Sequence, residues 1–499
     1  MKSKIGGYTP LINTVLDRAK QNDVYAIVRI ESNKNLSVGV LDGQTKGKKA
    51  VQDIGVGISV FTKKGASGFA STDKIYAEDI KNAVDRAANL AKSSENYSNV
   101  KLNKEIFDVD PLIGEYLQET KYDLGSKSSA EIEELVNSFN METKNLDERI
   151  SVETSYSCSE TEWRIARTDG TDVIFNVPRS RIFNFLTLKE GDKISELHLN
   201  VQGLDYSVLL DEDKKHLYDA RSRNSVQLVS DLLNAGSLPG GNYKALLSYD
   251  FAGLYAHEAV GHAFETDALK RSIVGDENGV LKKGEKVAPD NISFVDGPVE
   301  GLWGNHFISS NGVKRKTVEF IKDGVILDAL SDVFSAKESE VGINGCGRAE
   351  SYNKVPICRM SVTRMVDSNP YPFDKDFEDV TLDDIYDILV KTGELKSGEM
   401  VVYPVVGMGG QVMPVEGTFV FNCAGIYTIE NPKKITLYKQ SLFSGSTLET
   451  IATRTRGIGK ENFDGAGVCG KGGQSAPCSK GGNTFFVIDK SKAITFGGE

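Results

Sequence analysis

The sequence predicts an α+β protein. An N-terminal region of helices and antiparallel strands precedes a large β-rich domain that carries one helix with paired histidines. Three observations predict this. Apolar residues recur at helical spacing in a few separated stretches of the first half. Alternating apolar and polar residues, punctuated by turn dipeptides, fill most of the remainder. Beyond Gly241 the chain is rich in glycine and in strand patterns. At 499 residues it is long enough for two or three domains. The pattern divides it at 1–100, 101–237 and 238–499.

Residues 9–20 read as a first helix, with Leu11, Ile12, Val15, Leu16 and Ala19 on one face. Stretches 24–30 and 36–41 read as strands joined by a polar turn at 31–35. Residues 55–62 and 68–71 pair about Lys63-Lys64-Gly65. An amphipathic helix at 77–92 presents Ile80, Ala83, Val84, Ala87, Ala88 and Ala91 as its buried stripe. Residues 101–125 are polar and turn-rich and read as a linker. A helix at 128–139 starts at Ser128 or Ser129. Strands follow at 151–157, 162–167, 173–177, 182–188 and 196–201, with Thr168-Asp169-Gly170-Thr171 as a hairpin turn. A helix at 222–233 leads to Leu238-Pro239-Gly240-Gly241, a boundary signal.

In the third region strand character recurs at 243–249, 282–294, 317–323, 325–329, 355–365, 400–406, 417–422, 424–429 and 484–489. Asp250 is placed to cap a helix running into His257. A second helix, 382–391, follows Pro370-Tyr371-Pro372. So many strands suggest one sheet system curled or closed on itself.

Composition narrows the function classes. Hydrophobic residues make up 39% and charged residues 26%, as in ordinary globular proteins. A net charge of -11 argues against a broad nucleic-acid surface, which needs clustered Lys and Arg. No run of eighteen apolar residues is present, so no membrane span is expected, and residues 1–20 lack the apolar core of a signal peptide. Six cysteines without a CxxC pair read as reduced thiols in a cytoplasmic protein.

The chemistry concentrates at His257-Glu258-Ala259-Val260-Gly261-His262. Only five histidines occur in the chain, and two fall within these six residues. Two imidazoles with a carboxylate beside the first are how a helix presents a metal ion and a general base together. The familiar spacing is four residues, which on an α-helix leaves the side chains about 40° apart. Five residues leave them about 140° apart, so an ideal α-helix cannot aim both at one ion. The spacing predicts a wide i→i+5 turn, or a helix that ends at Gly261 and turns His262 back. A catalytic zinc wants three protein ligands and an open position. Glu265, Asp267, His306 and Cys469 are the candidates for the third. Cys469 lies in a glycine-rich segment that permits close backbone approach to an ion, with Lys471 nearby to favour the thiolate. Gly465 to Lys471 also approaches a phosphate-binding loop, but Gly472 stands where Ser or Thr should be.

The stretch from His257 to Asp267 resembles the metal motif of the TldD/PmbA family of metallopeptidases, also called modulators of DNA gyrase. Further segments carry the resemblance: Gly347-Arg348-Ala349-Glu350-Ser351-Tyr352 with Pro356 and Arg359-Met360; Gly407 to Phe421 with Pro414 and Gly417-Thr418-Phe419; and Cys469-Gly470-Lys471 with Gln474 and Pro477. Ala263-Phe264 and Thr266 depart from the smaller, glycine-containing residues expected after the second histidine. Gly347 and Ala349 stand where a second basic residue beside Arg348 is more usual. The resemblance implies a TldD-type subunit with His257, His262 and Cys469 as zinc ligands and Glu258 as catalytic carboxylate. It further implies small or unfolded peptide substrates, and a homodimer or a heterodimer with a TldE/PmbA-type paralogue.

On that reading Glu258 takes a proton from zinc-activated water and passes it to the leaving amine. His306, Tyr352 and Tyr403 are candidate donors to the oxyanion. Two other readings stand beside it. One is a non-enzymatic regulatory protein that binds a topoisomerase or another protein. The other is a structural subunit whose zinc is closed by a fourth ligand, Glu265 or His306.

Overall fold

The computed structural model describes residues 3, 5–97, 105–336 and 339–498. Residues 101–104 of the expected linker, and Met1, Lys2 and Lys4 of the N-terminal stretch, lie outside them. Seven strands form the first sheet: β1 (Tyr25–Leu41), β2 (Gln44–Phe61), β3 (Ser67–Thr72), β4 (Ile113–Tyr116), β5 (Ile150–Arg167), β6 (Asp172–Glu190) and β7 (Lys193–Gly203). Their order is β3-β2-β1-β5-β6-β4, with β7 also paired to β6. Only β4 joins parallel, along β6. This short strand lies within the stretch expected as a linker, and strands from both N-terminal stretches share the sheet.

Helices α1 (Thr9–Gln21) and α2 (Ala77–Ser94) pack with β1 and β2, and the stripe expected on α2 is buried in full. At Gly68 strand β3 lies so close to α2 that a Cβ would stand 2.1 Å from the Ala87 carbonyl oxygen. A second core gathers α3 (Ser129–Lys144), α4 (Ser207–Leu210) and α5 (Glu212–Leu232) with the far halves of β1, β5, β6 and β7. Ser128 and Glu131 close a reciprocal capping box on α3.

The polar turn expected at 31–35 is absent, and β1 runs unbroken through it. Glu31 faces Gly55 on one side and Trp163 on the other, and Asn35 faces Val51 and Ser159. Two neighbouring strands take up the backbone groups there, so polarity does not end the strand. The chain turns instead at Asp42-Gly43, with φ of +46° and +75°, the geometry of a tight hairpin.

The end of the second region contributes β8 (Gly236–Ser237), and the third contributes β9 (Lys244–Ser248), β10 (Ile292–Gly297), β11 (Val318–Lys322), β12 (Val325–Ile326), β13 (Gly347–Arg348), β14 (Ile357–Cys358), β15 (Val362–Asp367), β16 (Met400–Met413), β17 (Thr418–Glu430), β18 (Lys434–Ser446), β19 (Thr455–Lys471), β20 (Gln474–Ile488) and β21 (Ile494–Phe496). β13 and β14 form a separate two-stranded ribbon. The other twelve make one sheet, ordered β12-β11-β10-β15-β20-β9-β16-β17-β18-β21, with β19 on β20 and β8 on β18. Helices α6 (Tyr249–Tyr255), α7 (Leu382–Lys391) and α8 (Thr447–Ala452) accompany it.

The strand expected over 282–294 begins only at Ile292, because Gly284 takes φ +92° and Pro289 follows. β18 and β19 were hidden by polar residues and by glycines. Two register shifts in β19, at Ile458/Glu461 and Asp464/Gly467, break the alternation that marks a strand. Among the described residues no helix is long and apolar enough to cross a membrane.

Candidate metal centre

Helix α6 starts where β9 ends. The Ser248 hydroxyl accepts the Phe251 N–H at 3.3 Å, so Ser248 is the cap and not Asp250. Asp250 sits in the first turn and pairs with Lys480 at 2.7 Å. Tyr255 anchors the helix among the rings of Phe294, Phe419 and Phe443.

The helix then widens. Ala256–Val260 forms a π turn, with the Gly261 N–H bonded to the Ala256 carbonyl, and Gly261–Phe264 closes as a 3₁₀ turn. Both devices the five-residue spacing calls for are present, and the two imidazole centroids stand 5.4 Å apart. Met360 lies against the turn: a Cβ on Gly261 would meet its sulfur at 2.1 Å.

Cys469 arrives from β19. The glycine-rich segment is one arm of a β19–β20 hairpin, turning at Gly472-Gly473 with φ of +58° and +70°. It is a strand-to-strand turn, not the strand-to-helix turn of a phosphate loop. Arg359 donates to the Cys469 carbonyl and to that of Gln474, tying both arms to the segment after β14.

His257, His262 and Cys469 each present a ligand atom within 4.8 Å of the other two. Cys469 Sγ is 3.3 Å from His262 Nε2. Nitrogen and sulfur ligands on one tetrahedral zinc are separated by about 3.5 Å. The Nε2 of His257 is buried and has no hydrogen-bond partner. A donor set of two imidazoles and one thiolate, with an orphaned nitrogen facing inward, fits a zinc ion.

Each histidine is held from behind. His262 Nδ1 donates to Glu265 Oε2 at 2.9 Å. Glu265 is 1% exposed and also meets Lys471 Nζ at 3.0 Å. His257 Nδ1 faces the Thr363 hydroxyl at 3.3 Å, which donates to Asp296 Oδ2 at 2.9 Å. Asp296 is fixed in turn by Arg315 and the Ser361 N–H. Both imidazoles therefore place a proton on Nδ1 and leave Nε2 for the centre.

Burial alone would raise the Cys469 thiol, but the neighbouring His257 and His262 imidazoles outweigh it and pull it down to about 5. Burial would lower the His262 imidazole, yet Glu265 and Cys469 raise it to about 10. Burial would raise Glu265, and the charges of His262 and Lys471 hold it at about 2. In the metal-free protein the cluster is thus a thiolate among imidazolium groups. Lys471 does not act as expected on the thiolate, because its ammonium is turned to Glu265 and to Asp267, the latter at 2.6 Å.

The remaining candidates fall elsewhere. Glu265 stands behind His262, and Asp267 holds Lys471 and the Cys358 N–H. His306 is buried against Phe175, outside the cluster. Tyr403 packs on Tyr427 and Phe485, and Tyr352 lies over Gly55 with its N–H on Glu31. Glu258 Oε2 is 3.6 Å from His262 Nε2, and its side chain is 33% exposed, so it reaches solvent beside the cluster. Sequence reasoning did not find Thr363 or Asp296, which stand behind His257. No local motif marks them, since they reach the site through sheet pairing. A cavity of about 620 Å³ lies where β7 and α5 face the second sheet; it takes in Ala466 and Gly467, close to Cys469, but none of the three ligand residues.

Residues 240–477 match the family model described as the PmbA/TldA metallopeptidase C-terminal domain, and residues 26–91 match its domain 1. A metalloprotease of Methanocaldococcus jannaschii is 28% identical over 470 residues, covering 93% of this chain and 96% of that one. A protein of Saccharolobus solfataricus named zinc metalloprotease TldD homolog is 23% identical, over 83% of this chain and 84% of its own. Among solved structures, TldE from Thermococcus kodakarensis superposes with a TM-score of 0.73 at 15% identity, covering 97% of this chain and 99% of that one.

Proposed function

The chain belongs to the PmbA/TldD metallopeptidase family, and we propose that it is a zinc-dependent peptidase acting on small or unfolded peptides, in peptide maturation or degradation. The observation that carries the reading is the convergence of His257, His262 and Cys469 with Glu258 at the open side. A zinc ion held by the three would act as a Lewis acid and lower the pKa of a water it binds.

The chain's own residues do the rest. Glu265 and the Thr363–Asp296 pair hold the two imidazoles in the tautomer that leaves Nε2 free. Glu258, partly exposed beside His262, accepts the proton of the attacking water and returns it to the leaving amine. The two groups that would close the site are engaged elsewhere, Glu265 with His262 and Lys471, and His306 against Phe175. That supports a catalytic over a structural ion, and the relatives' name, metalloprotease, supports it over a purely regulatory role. The TldE-like fold is compatible with pairing to a second copy or to a TldE/PmbA-type paralogue. Six unpaired cysteines fit a reducing, cytoplasmic setting.

The test is metal content per chain on the native protein and on Cys469→Ala, with peptide hydrolysis by Glu258→Gln. About one zinc, lost with Cys469, and a metal-loaded but inactive Glu258→Gln are expected. Full hydrolysis by Glu258→Gln would remove its role.

A further inference from the structure

We propose that Arg179, Arg315 and Arg348, gathered around His306, form a subsite for a carboxylate of the bound peptide, either its C-terminus or an acidic side chain. The proposal rests on the peptidase reading but concerns residues outside the metal cluster.

Arg315, Arg348 and His306 are buried, Arg179 is half-buried, and His306 and Arg315 are under-satisfied. Arg315, Arg348 and His306 are each 4% exposed. Both ring nitrogens of His306 lack hydrogen-bond partners, as do Nε and Nη1 of Arg315. Arg348 gives one hydrogen bond, from Nη1 to the Met360 carbonyl at 2.7 Å; Arg179 reaches the Trp303 carbonyl at 2.8 Å and that of Asn305, next to His306, at 3.5 Å; and the Arg315 N–H bonds the carbonyl of Phe307 on the other side of His306 at 2.9 Å. Asp296 pairs with Arg315, but it is shared with Ser361 and Thr363. Asp332, beside Gly347, commits Oδ1 to the Phe334 N–H and the Ser335 hydroxyl. Among the described residues, three guanidiniums thus surround one imidazole with two carboxylates, Asp296 and Asp332, beside them. Burial first, then Arg179, Arg315 and Arg359, oppose the charge of Arg348, and burial first, then Arg348, Arg179 and Arg315, push the His306 imidazole well below its ordinary range. Buried charge without a counter-charge is costly, and an incoming anion relieves it.

The ligand class follows from shape and place. Guanidinium forks match the two oxygens of a carboxylate. The group also adjoins the metal cluster. Arg315 pairs with Asp296, which accepts from the Thr363 hydroxyl that faces His257 Nδ1 at 3.3 Å. The Met360 carbonyl that Arg348 holds belongs to the residue packed under Gly261. A peptide lying at the centre can therefore extend a carboxylate towards Arg348.

Calorimetric titration of zinc-loaded Glu258→Gln protein in chloride-free buffer tests this without turnover. The ligands are N-acetyl-Ala-Ala, its amide, and N-acetyl-Glu-Ala amide. At least one acid should bind about tenfold or more tightly than the plain amide, and which one does identifies the source. Adding Arg348→Gln should bring the ratio close to one. Should that variant fail to fold, Arg179→Gln makes the same comparison. Equal binding of all three ligands, or an acid preference that survives in a folded Arg348→Gln, overturns the proposal. Acid preference in a protein that, with Glu258 intact, cleaves no peptide would instead count against the peptidase reading and leave the subsite standing.

Discussion

Replacing Glu265 by Gln isolates what holds His262 in place. Glutamine keeps the shape of the side chain and removes its charge. In the native protein that carboxylate accepts from His262 Nδ1 at 2.9 Å and meets Lys471 at 3.0 Å, at 1% exposure. Losing such a partner behind a metal-ligating histidine weakens metal binding by about 10- to 100-fold, or about 1.4–2.8 kcal/mol. Lys471 keeps Asp267 at 2.6 Å, so the ammonium is not orphaned and the loss should not exceed that range. A second readout comes from the metal-free protein. Glu265 is held at about 2 against an ordinary 4.5. Its folded value is depressed, so its contribution is present above pH 4.5 and lost as pH falls through about 2. That contribution is at most roughly 3 kcal/mol at neutral pH. Competition with a zinc chelator gives the affinity, and urea unfolding at pH 7 and near pH 2 gives the stability difference and its disappearance. Glu265→Gln binding zinc within twofold of the native protein, while His262→Ala loses it, would refute the positioning argument.

Three further substitutions probe other links. Gly261→Ala places a methyl group 2.1 Å from the Met360 sulfur and should cost about 1–3 kcal/mol by denaturant titration, with a smaller-than-additive loss when combined with Met360→Ala. Glu31 is raised to about 8 by burial, reinforced by Asp53 and Glu350, so the stability it allows is full below pH 4.5 and lost as pH rises through 8. Glu31→Gln should therefore gain up to roughly 5 kcal/mol at pH 9 and nothing near pH 4, and equal melting curves at pH 9 would contradict the assignment. Gly68→Ala sets a Cβ against backbone, 2.1 Å from the Ala87 carbonyl oxygen and 2.7 Å from the Ala91 nitrogen, and should destabilise by about 3 kcal/mol or more as α2 is pushed off β3.

Local chemistry was legible where it was local. The α2 stripe, the Thr168–Thr171 hairpin and the need for a non-α turn before His262 all follow from spacing within one segment. What was not legible depended on partners distant in sequence. Residues 31–35 look like a turn until β2 and β5 are known to flank them. Cys469 shows only as a cysteine among glycines until β20 pairs with it, and Lys471 is drawn away from it by Glu265 and Asp267, some two hundred residues earlier. Thr363 and Asp296 reach His257 because β15 pairs with β10, a register that no short motif encodes.

The five-residue spacing has an energetic consequence. Histidines four apart would need only an ordinary helix to meet at one ion, so binding would ask little of the backbone. Here the two imidazoles converge only while Ala256–Val260 holds a π turn, a geometry that helices rarely adopt. Packing supplies part of that support, through Met360 beneath Gly261 and the aromatic cage around Tyr255. A bound ion would supply more, because it favours the turn over a regular helix that would separate its ligands. On the proposed zinc reading, metal affinity and the local stability of residues 256–264 are coupled, and a substitution that loosens the turn should weaken zinc binding without touching a ligand.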